Sequence, residues 1–442
     1  MVDGDTRVIL RLAVPALLSL IAEPLFLLAD TAIVGHLSVS SLAGLGIASA
    51  ALLTAANVFV FLAYGTTSLV ARWVGAGRDA DALGAGIDGM WLAVALGLVT
   101  AVIVAPLATD ICALFGAQGD VLIQAATYLR ISSFGLPAML VALAATGVLR
   151  GFQDTVTPLF ATVAGFTSNI VLNFLLVYGL GMGIAGSAWG TVVAQWGMGL
   201  ALAFVVVRRA RASRASLAPR PGGVLRSAMQ GIPLLVRTLA LRAVLLLTTW
   251  SATALGDDPL AAHQVAMTVF GFLAFVLDAL AIAAQSLTGS ALGAGDTALA
   301  RARTRLMLRW SLGSGIAMGV LLALTHTVLP ILFTRDEEVR SALAAALLVI
   351  AVQSPIGAVV FVLDGVLIGA GDGKALAVIQ VTLLALYAPV AYVLHERAPD
   401  LIALGSVTSV VILWVSFSGF MLARMAFLLW RARSDHWLVP GV

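Results

Sequence analysis

The chain has 442 residues, of which 61% are hydrophobic and only 11% are charged. A water-soluble domain is nearer half apolar and a quarter charged, so this composition excludes an ordinary soluble protein and favours a chain embedded in lipid. The formal net charge is only +3 and Cys112 is the single cysteine. Neither an intramolecular disulfide nor a cysteine-based metal site is therefore expected.

The predicted elements are twelve apolar segments, because each reaches the roughly 20 residues that a membrane-spanning helix requires. Short turns rich in Gly, Pro and Asp separate them. No soluble domain and no cleavable signal peptide is expected. In chain order, we predict spans at about 8–34, 46–71, 86–107, 121–149, 157–180, 184–207, 227–252, 260–290, 306–330, 339–368, 375–394 and 401–429.

The distribution of charge orients these spans. The loops after even-numbered spans, together with both termini, carry most of the arginines, including those between Arg208 and Arg226, those between Arg301 and Arg309, and Arg424 at the end of the last span. The opposite loops are mainly acidic, as at Asp257 and Asp258. Because loops rich in Lys and Arg stay in the cytoplasm, both termini are predicted to be cytoplasmic in a plasma or inner membrane. Arginines in such loops indicate topology, so nucleic acid is not an expected partner.

An internal repeat is the most informative feature of the chain. Shifting the sequence by 218 residues aligns prolines, glycines and aspartates without a gap. The aligned pairs include Pro15 with Pro233, Gly75 with Gly293, Pro137 with Pro355, and Asp154 with Asp372. We therefore predict an N-terminal six-helix lobe at 1–210, a cytoplasmic linker at 211–225 and a C-terminal six-helix lobe at 226–442.

The two halves begin on the same side of the membrane, so the repeat is parallel. The predicted fold is all-α, with twelve transmembrane helices in two lobes related by a pseudo-two-fold axis along the membrane normal. Proteins built in this way commonly bind substrate between the lobes and rock the lobes to give alternating access. The organisation therefore predicts a transporter rather than an enzyme.

Four stretches resemble the multidrug and toxic compound extrusion (MATE) family, and within it the DNA-damage-inducible F (DinF) branch. They are DTAIVGHL at 30–37, LRGFQDT at 149–155, the segment 169–195, and LDGVLIGAGD at 363–372. The resemblance covers nearly the whole chain. It implies a V-shaped pair of six-helix lobes and export of an organic substrate in exchange for H⁺ or Na⁺.

Acidic residues inside spans are the candidate coupling groups. Glu23, Asp30, Asp278 and Asp364 lie well inside predicted spans. A charge there costs at least about 2.5–3.5 kcal/mol, so each needs a partner, a wet cavity or a proton. A carboxyl group whose surroundings alternate between wet and dry can gain and lose a proton in step with transport.

Asp30 is the first candidate for the proton-coupling residue. By helical rise, Asp30, Asn173 and Thr191 each lie roughly 8–9 Å from the outer end of their spans. Asn169 precedes Asn173 by four residues and shares its helix face. The MATE resemblance indicates the same group. Some relatives have an aspartate at the position of Asn173, so this lobe has one acid fewer, which favours a single protonatable site over bound Na⁺. A structural carboxylate capping a broken helix is the alternative for Asp30.

Glu23 lies seven residues before Asp30, about 10 Å deeper on the same face. It is a candidate second proton station, with a packing residue or an ion-pair partner as the alternatives. Pro24 follows it and would loosen the helix there.

In the second half, Asp278, Asp364, Arg237 and Arg242 are candidates for a substrate site or a buried ion pair. Arg242 and Asp278 lie at similar depths, so an ion pair between these two residues is the simplest interpretation.

The function predicted from the sequence is a secondary antiporter that exports amphipathic or cationic organic compounds in exchange for inward H⁺, with Na⁺ less favoured. Its expected partners are a small organic substrate and membrane lipid; no cofactor or metal is expected, and a monomer is expected. A flippase for lipid-linked saccharides is the nearest alternative, but it would normally show more cationic residues in the central spans. A polytopic membrane enzyme is the alternative from another class, although no Walker loop, zinc spacing or serine elbow is present.

Overall fold

The computed structural model describes residues 2–442, and all regular secondary structure in that range is helical. Twelve of the helices are long and apolar enough to cross a membrane, which confirms the predicted number. Most extend beyond the predicted spans. Their bounds are α1 Val2–Gly35, α2 Val39–Gly75, α3 Asp79–Leu114, α4 Gly119–Gly151, α5 Val156–Gly179, α6 Gly183–Ala212, α7 Pro221–Thr253, α8 Asp257–Gly293, α9 Thr297–Thr325, α10 Glu337–Gly369, α11 Gly373–Glu396 and α12 Ser406–Arg433.

Three of these helices are irregular within the membrane. The helix α2 is interrupted at Val60, α4 contains the 3₁₀ turn Ser133–Gly135, and α5 ends in the π-helical turn Leu175–Gly179. Irregular backbone at membrane depth is tolerated where it is buried in protein or lines a cavity. The short helices outside the spans are Leu329–Leu332, Ala398–Ile402 and Asp435–Trp437.

The chain packs as two compact units. The N-terminal unit comprises Leu10–Leu235 with the short segments Gly289–Gly295 and Gly441–Val442. The C-terminal unit comprises the start of the chain through Ile9, Val236–Thr288 and Asp296–Pro440. The lobe boundaries assigned from the sequence repeat stay a prediction.

A repeated ion pair anchors equivalent turns in the two units. Asp154, between α4 and α5, accepts hydrogen bonds from the backbone N–H of Thr157 at 2.9 Å and from Arg209 at the end of α6 at 2.5 Å. In the second half Asp372, the repeat partner of Asp154, accepts from Arg431 Nε at 2.6 Å. Partial burial of Asp154 acts to raise its pKa, but the hydrogen bonds from Thr157 and the Arg209 guanidinium outweigh it and hold the pKa below its ordinary value.

The linker is held against the N-terminal unit by a buried carboxylate. Asp88 of α3 is 1% exposed and accepts three hydrogen bonds from Arg220, from the backbone N–H at 3.0 Å, from Nε at 3.0 Å and from Nη2 at 2.8 Å. Trp91, further along α3, donates its indole N–H to the carbonyl of Leu217 at 3.1 Å. This role of Asp88 was not predicted, because the residue falls at the edge of the predicted third span. The linker is therefore a docked segment.

An apolar core cluster lies in the N-terminal unit around the end of α1. Val34, Leu45, Cys112, Tyr128 and Ile184, from α1, α2, α3, α4 and α6, are all buried in it. Because lipid tails are as apolar as these side chains, close packing rather than the hydrophobic effect holds such helices together in a membrane. This cluster packs together helices that carry the candidate site.

Candidate functional site

The candidate site forms around Asp30, which lies on α1 and is only 2% exposed. One carboxylate oxygen, Oδ1, accepts hydrogen bonds from Asn173 Nδ2 and from Ser187 Oγ, both at 2.7 Å. The other oxygen, Oδ2, accepts from the hydroxyl of Tyr128 at 3.3 Å. The side chain therefore points into the N-terminal unit, where three donors from α4, α5 and α6 meet it.

A second layer of amide and hydroxyl groups surrounds these donors. Asn173 Nδ2 also donates to Asn169 Oδ1 at 2.9 Å, and Asn169 Nδ2 donates to Thr191 Oγ1 at 3.1 Å. The hydroxyls of Tyr128 and Thr191 are 3.3 Å apart, and either can be the donor. The structure thus brings the predicted residues Asp30, Asn169, Asn173 and Thr191 together. With Tyr128 and Ser187 they form one network, which we call the Asp30 network.

Helical periodicity explains why these residues meet. Asn169 and Asn173 are one turn apart on α5, and Ser187 and Thr191 are one turn apart on α6, so each pair shares a face. Gly190 lies on α6 where that helix meets α5, and a Cβ atom there would overlap the side-chain oxygen of Asn173. The glycine therefore leaves room for the amide.

The network is electrically unusual because its single carboxyl group has only neutral partners. Every side chain that hydrogen-bonds Asp30 is an amide or a hydroxyl, and no arginine or lysine among residues 6–442 pairs with it. Donors to a carboxylate stabilise its charged form, whereas burial disfavours that form. A carboxyl group in such surroundings can exchange a proton without breaking an ion pair.

Two members of the Asp30 network were missed from the sequence. Ser187 precedes Thr191 by four residues, so helical spacing alone could have indicated it. Tyr128 gave a weaker signal, since a lone tyrosine within a span is as easily a packing residue. Both are fully or nearly fully buried, with Tyr128 only 3% exposed.

Glu23 lies outside the network. Its side chain is exposed and makes no hydrogen bond or ion pair with the described residues. Its suggested role as a second proton station stays a prediction.

The acidic residues of the second half have a different environment. Asp364 is buried on α10 and pairs with Arg237 of α7 at 2.6 Å and with Arg424 of α12. Sequence analysis grouped Arg424 with the cytoplasmic end of the last span, but the structure buries it within α12. The interpretation that Arg242 pairs with Asp278 stays a prediction.

The second half has no acid where the first half has Asp30. Its repeat partner is Thr248, and the partner of Asn169 is Tyr387. The hydroxyls of Thr248 and Tyr387 are 2.9 Å apart. The equivalent site in the C-terminal unit is therefore a neutral hydroxyl pair, and the two units differ in what they can bind.

No group of three His, Cys, Asp or Glu residues in the described part of the chain is placed to hold a metal ion. The Asp30 network contains one carboxylate, two amides and three hydroxyls. Such a set can bind a proton through hydrogen bonds that change direction.

Comparison with known proteins identifies relatives for the whole chain. The MatE family profile matches residues 15–175 and again residues 233–393. The two matches begin 218 residues apart, which confirms the internal repeat. "Protein DETOXIFICATION 44, chloroplastic" of Arabidopsis thaliana is 33% identical over 82% of this chain and 72% of its own length. "DNA damage-inducible protein F" of Escherichia coli is 30% identical over 83% of this chain and 81% of its own.

Solved structures share the fold. "Crystal structure of MATE in the bent conformation" superposes with a TM-score of 0.87 at 22% identity and covers 97% of this chain and 95% of its own. "Crystal structure of eukaryotic MATE transporter AtDTX14" gives a TM-score of 0.85 at 18% identity over 99% of this chain and 97% of its own. The two-lobed, twelve-helix fold predicted from the sequence is confirmed by these matches.

Proposed function

The chain belongs to the MatE family of efflux transporters, and on that premise we propose that it exports amphipathic or cationic organic compounds in exchange for protons that enter through the Asp30 network. Alternating access between the two lobes couples the two fluxes. The carrying observation is that Asp30 is buried, held by neutral donors from three helices and free of any described cationic partner.

The geometry supports both protonation states of Asp30. In the ionised state Tyr128 donates to Oδ2. In the neutral state the new O–H of Asp30 donates to the Tyr128 oxygen, and Tyr128 turns its own hydrogen to Thr191, whose oxygen is 3.3 Å away. No helix has to move for this exchange of donors, so both protonation states of Asp30 fit the same arrangement of helices.

The proton and a cationic substrate compete for the negative charge of Asp30, and this competition drives release of the substrate. An ionised Asp30 attracts a cationic group, whereas a neutral Asp30 does not, so proton uptake from outside favours release of the cargo there. A coupling ion shifts the equilibrium only through its different affinity for the two states. Here the affinity for a cationic substrate differs because ionised Asp30 carries one full negative charge in low-dielectric surroundings and neutral Asp30 carries none.

The proton is favoured over Na⁺ by the composition of the site. A bound metal cation needs several oxygen ligands and charge compensation, and carboxylates usually supply the latter. The Asp30 network has one carboxylate, and Asn173 spends its amide N–H groups on Asp30 and Asn169. The groups that face the carboxylate are hydrogen-bond donors, whereas a metal cation would need oxygen ligands there. This arrangement therefore favours a proton over Na⁺.

The membrane location and the oligomeric state complete the proposal. The protein is a multi-pass membrane protein, and the excess of arginine in one set of loops supports cytoplasmic termini and a plasma or inner membrane. We further propose that it works as a monomer, since each unit forms its own core.

Efflux from proteoliposomes tests the function. Purified protein is reconstituted with ethidium as the organic cation inside, and an H⁺ or a Na⁺ gradient is imposed. We expect efflux that follows the H⁺ gradient in the wild type and loses that response in Asp30→Asn. Efflux that follows Na⁺ and ignores H⁺ would overturn the choice of ion, and the absence of any gradient-driven flux would overturn the transport proposal.

A further inference from the structure

A break in α4 lies one helical turn below the Asp30 network. The helix changes to a 3₁₀ turn at Ser133–Gly135 and then resumes at Leu136. Pro137 follows the break, but a proline alone does not explain it. Its repeat partner Pro355 lies inside α10, which continues without interruption from Glu337 to Gly369. The break is therefore specific to the half that carries Asp30.

Polar residues connect the network to this break. On α6, Ser187, Thr191 and Gln195 follow at intervals of four residues and so share one helix face. On α4, Ser132 follows Tyr128 by the same interval. Gln195 and Ser132 each lie about 6 Å further from the outer surface than their partners in the network.

The two deeper side chains have buried atoms that no described residue satisfies. Ser132 is 1% exposed and its Oγ has no hydrogen-bond partner, and the same is true of the buried Oε1 of Gln195. Gly135 faces that amide oxygen, because a Cβ atom at Gly135 would overlap it. Gly135 and Ser132 are three residues apart along the turn, so both atoms lie beside the break.

The backbone of the break is arranged around α6. Trp196 donates its indole N–H to the carbonyl of Phe134 at 3.0 Å, which ties the turn to α6. Beside this contact, the Ser132 and Gln195 side-chain oxygens lack a partner among the described residues, and each can accept a hydrogen bond. A buried polar atom without a partner costs about 1–3 kcal/mol, so the site favours a small molecule that donates.

We propose that the α4 break and Gln195 hold water that carries the proton between Asp30 and the deeper part of the N-terminal lobe. One bridging water spans about 5–6 Å between two polar atoms, which is the rise that separates the two layers. The proton on the Asp30 carboxyl passes through the Tyr128 and Thr191 hydroxyls to this water, which becomes hydronium, and Asp30 is left as a carboxylate. Gln195 and Ser132 position the water and do not change charge.

This inference rests on the proposed proton coupling and extends it with residues that act on the rate of proton movement. Substrate affinity and the final extent of exchange depend on Asp30 and are unaffected by the relay. Loss of a positioned proton-transfer group typically slows such steps by roughly a hundredfold or more. The signature is thus a slow proton flux at normal affinity.

The experiment measures the initial rate of proton entry during ethidium efflux, with a pH-sensitive dye inside proteoliposomes. Gln195→Leu and Ser132→Ala are compared with two matched controls. Gln264→Leu makes the same change at an exposed position of α8. Ser133→Ala removes the neighbouring hydroxyl, which is already bonded to the carbonyl of Arg130.

We expect Gln195→Leu and Ser132→Ala to slow proton entry by roughly a hundredfold or more and to increase the solvent isotope effect, with ethidium Kd and Tm unchanged. Gln195→Glu retains the acceptor and should restore most of the rate. An unchanged rate in Gln195→Leu would overturn the relay. A loss of rate, affinity and Tm together, without restoration in Gln195→Glu, would also overturn it and indicate a packing role. A wild type that moves no protons would instead end the proposed function.

Discussion

Replacing Asp30 with asparagine should separate proton coupling from stability. Asparagine is the same size as aspartate, and its side-chain oxygen can take the place of Oδ1, which accepts from Asn173 and Ser187 at 2.7 Å. The NH₂ group of the new side chain then faces Tyr128, whose hydroxyl can accept instead of donate. One hydrogen bond is reversed and none is lost, so we expect a stability change within about 1 kcal/mol.

Asp30→Ala is the contrasting variant. It removes the acceptor for three donors that stay buried, and each unsatisfied group costs about 1–3 kcal/mol. We therefore expect a clearly lower Tm in detergent for Asp30→Ala and a Tm near that of the wild type for Asp30→Asn. Both variants should lose transport driven by a pH gradient, because neither carries a group that takes up a proton in the physiological range.

Two assays decide the matter on the same preparations. Thermal unfolding gives the stability difference, and ethidium uptake into proteoliposomes with and without a pH gradient gives the coupling. Asp30→Asn should still exchange ethidium across the membrane when no gradient is imposed. An Asp30→Asn variant that responds fully to the pH gradient would exclude Asp30 as the coupling group, and an Asp30→Ala variant as stable as the wild type would exclude its role as a buried acceptor.

Three further predictions follow from the contacts. Asp364→Asn leaves two buried guanidinium groups without their carboxylate and should lower stability by about 3–5 kcal/mol, whereas Asp400→Asn, in an exposed pair, should change Tm little. Gly190→Ala should disturb the Asp30 network and slow pH-driven transport, while Gly197→Ala, where a Cβ atom meets nothing, should not. Asp154→Asn should destabilise the protein by about 1 kcal/mol at neutral pH. Because folding lowers the pKa of Asp154, this contribution is present above the unfolded pKa of about 4 and is lost as the pH falls through the folded pKa. The melting curves of the wild type and Asp154→Asn should therefore converge in acid.

Sequence patterns predicted the fold well because its signals are repeated and local. Hydropathy gave twelve spans, and the offset of 218 residues is also the spacing of the two MatE matches. Helix breaks were harder to predict. Pro137 and Pro355 occupy equivalent positions, but only the former follows a break, since the outcome depends on packing against α6.

The candidate site was partly predictable for a similar reason. Depth along each span placed Asp30, Asn173 and Thr191 at one level, which needs only helical rise. Tyr128 and Arg424 could not be assigned in this way, because which face of a helix meets which neighbour is decided by tertiary packing. Arg424 in particular is a buried partner of Asp364, although its position near the chain end suggested a cytoplasmic arginine.

The difference between the two units has a functional consequence. The first half holds a carboxyl group among neutral donors, whereas the second half holds its buried acid between two arginines. Its two buried ion pairs make Asp364 a structural link between α7, α10 and α12, whereas Asp30 has no ion pair to break. This contrast supports assigning proton exchange to the N-terminal lobe.

Proton release on substrate binding is the direct test of whether Asp30 exchanges a proton for the substrate. Ethidium is titrated calorimetrically into purified protein in buffers of different ionisation enthalpy, at a pH where part of the wild type is protonated. We expect ethidium to displace up to about one proton from the wild type and none from Asp30→Asn. Equal proton release from both proteins would show that a group other than Asp30 carries the proton.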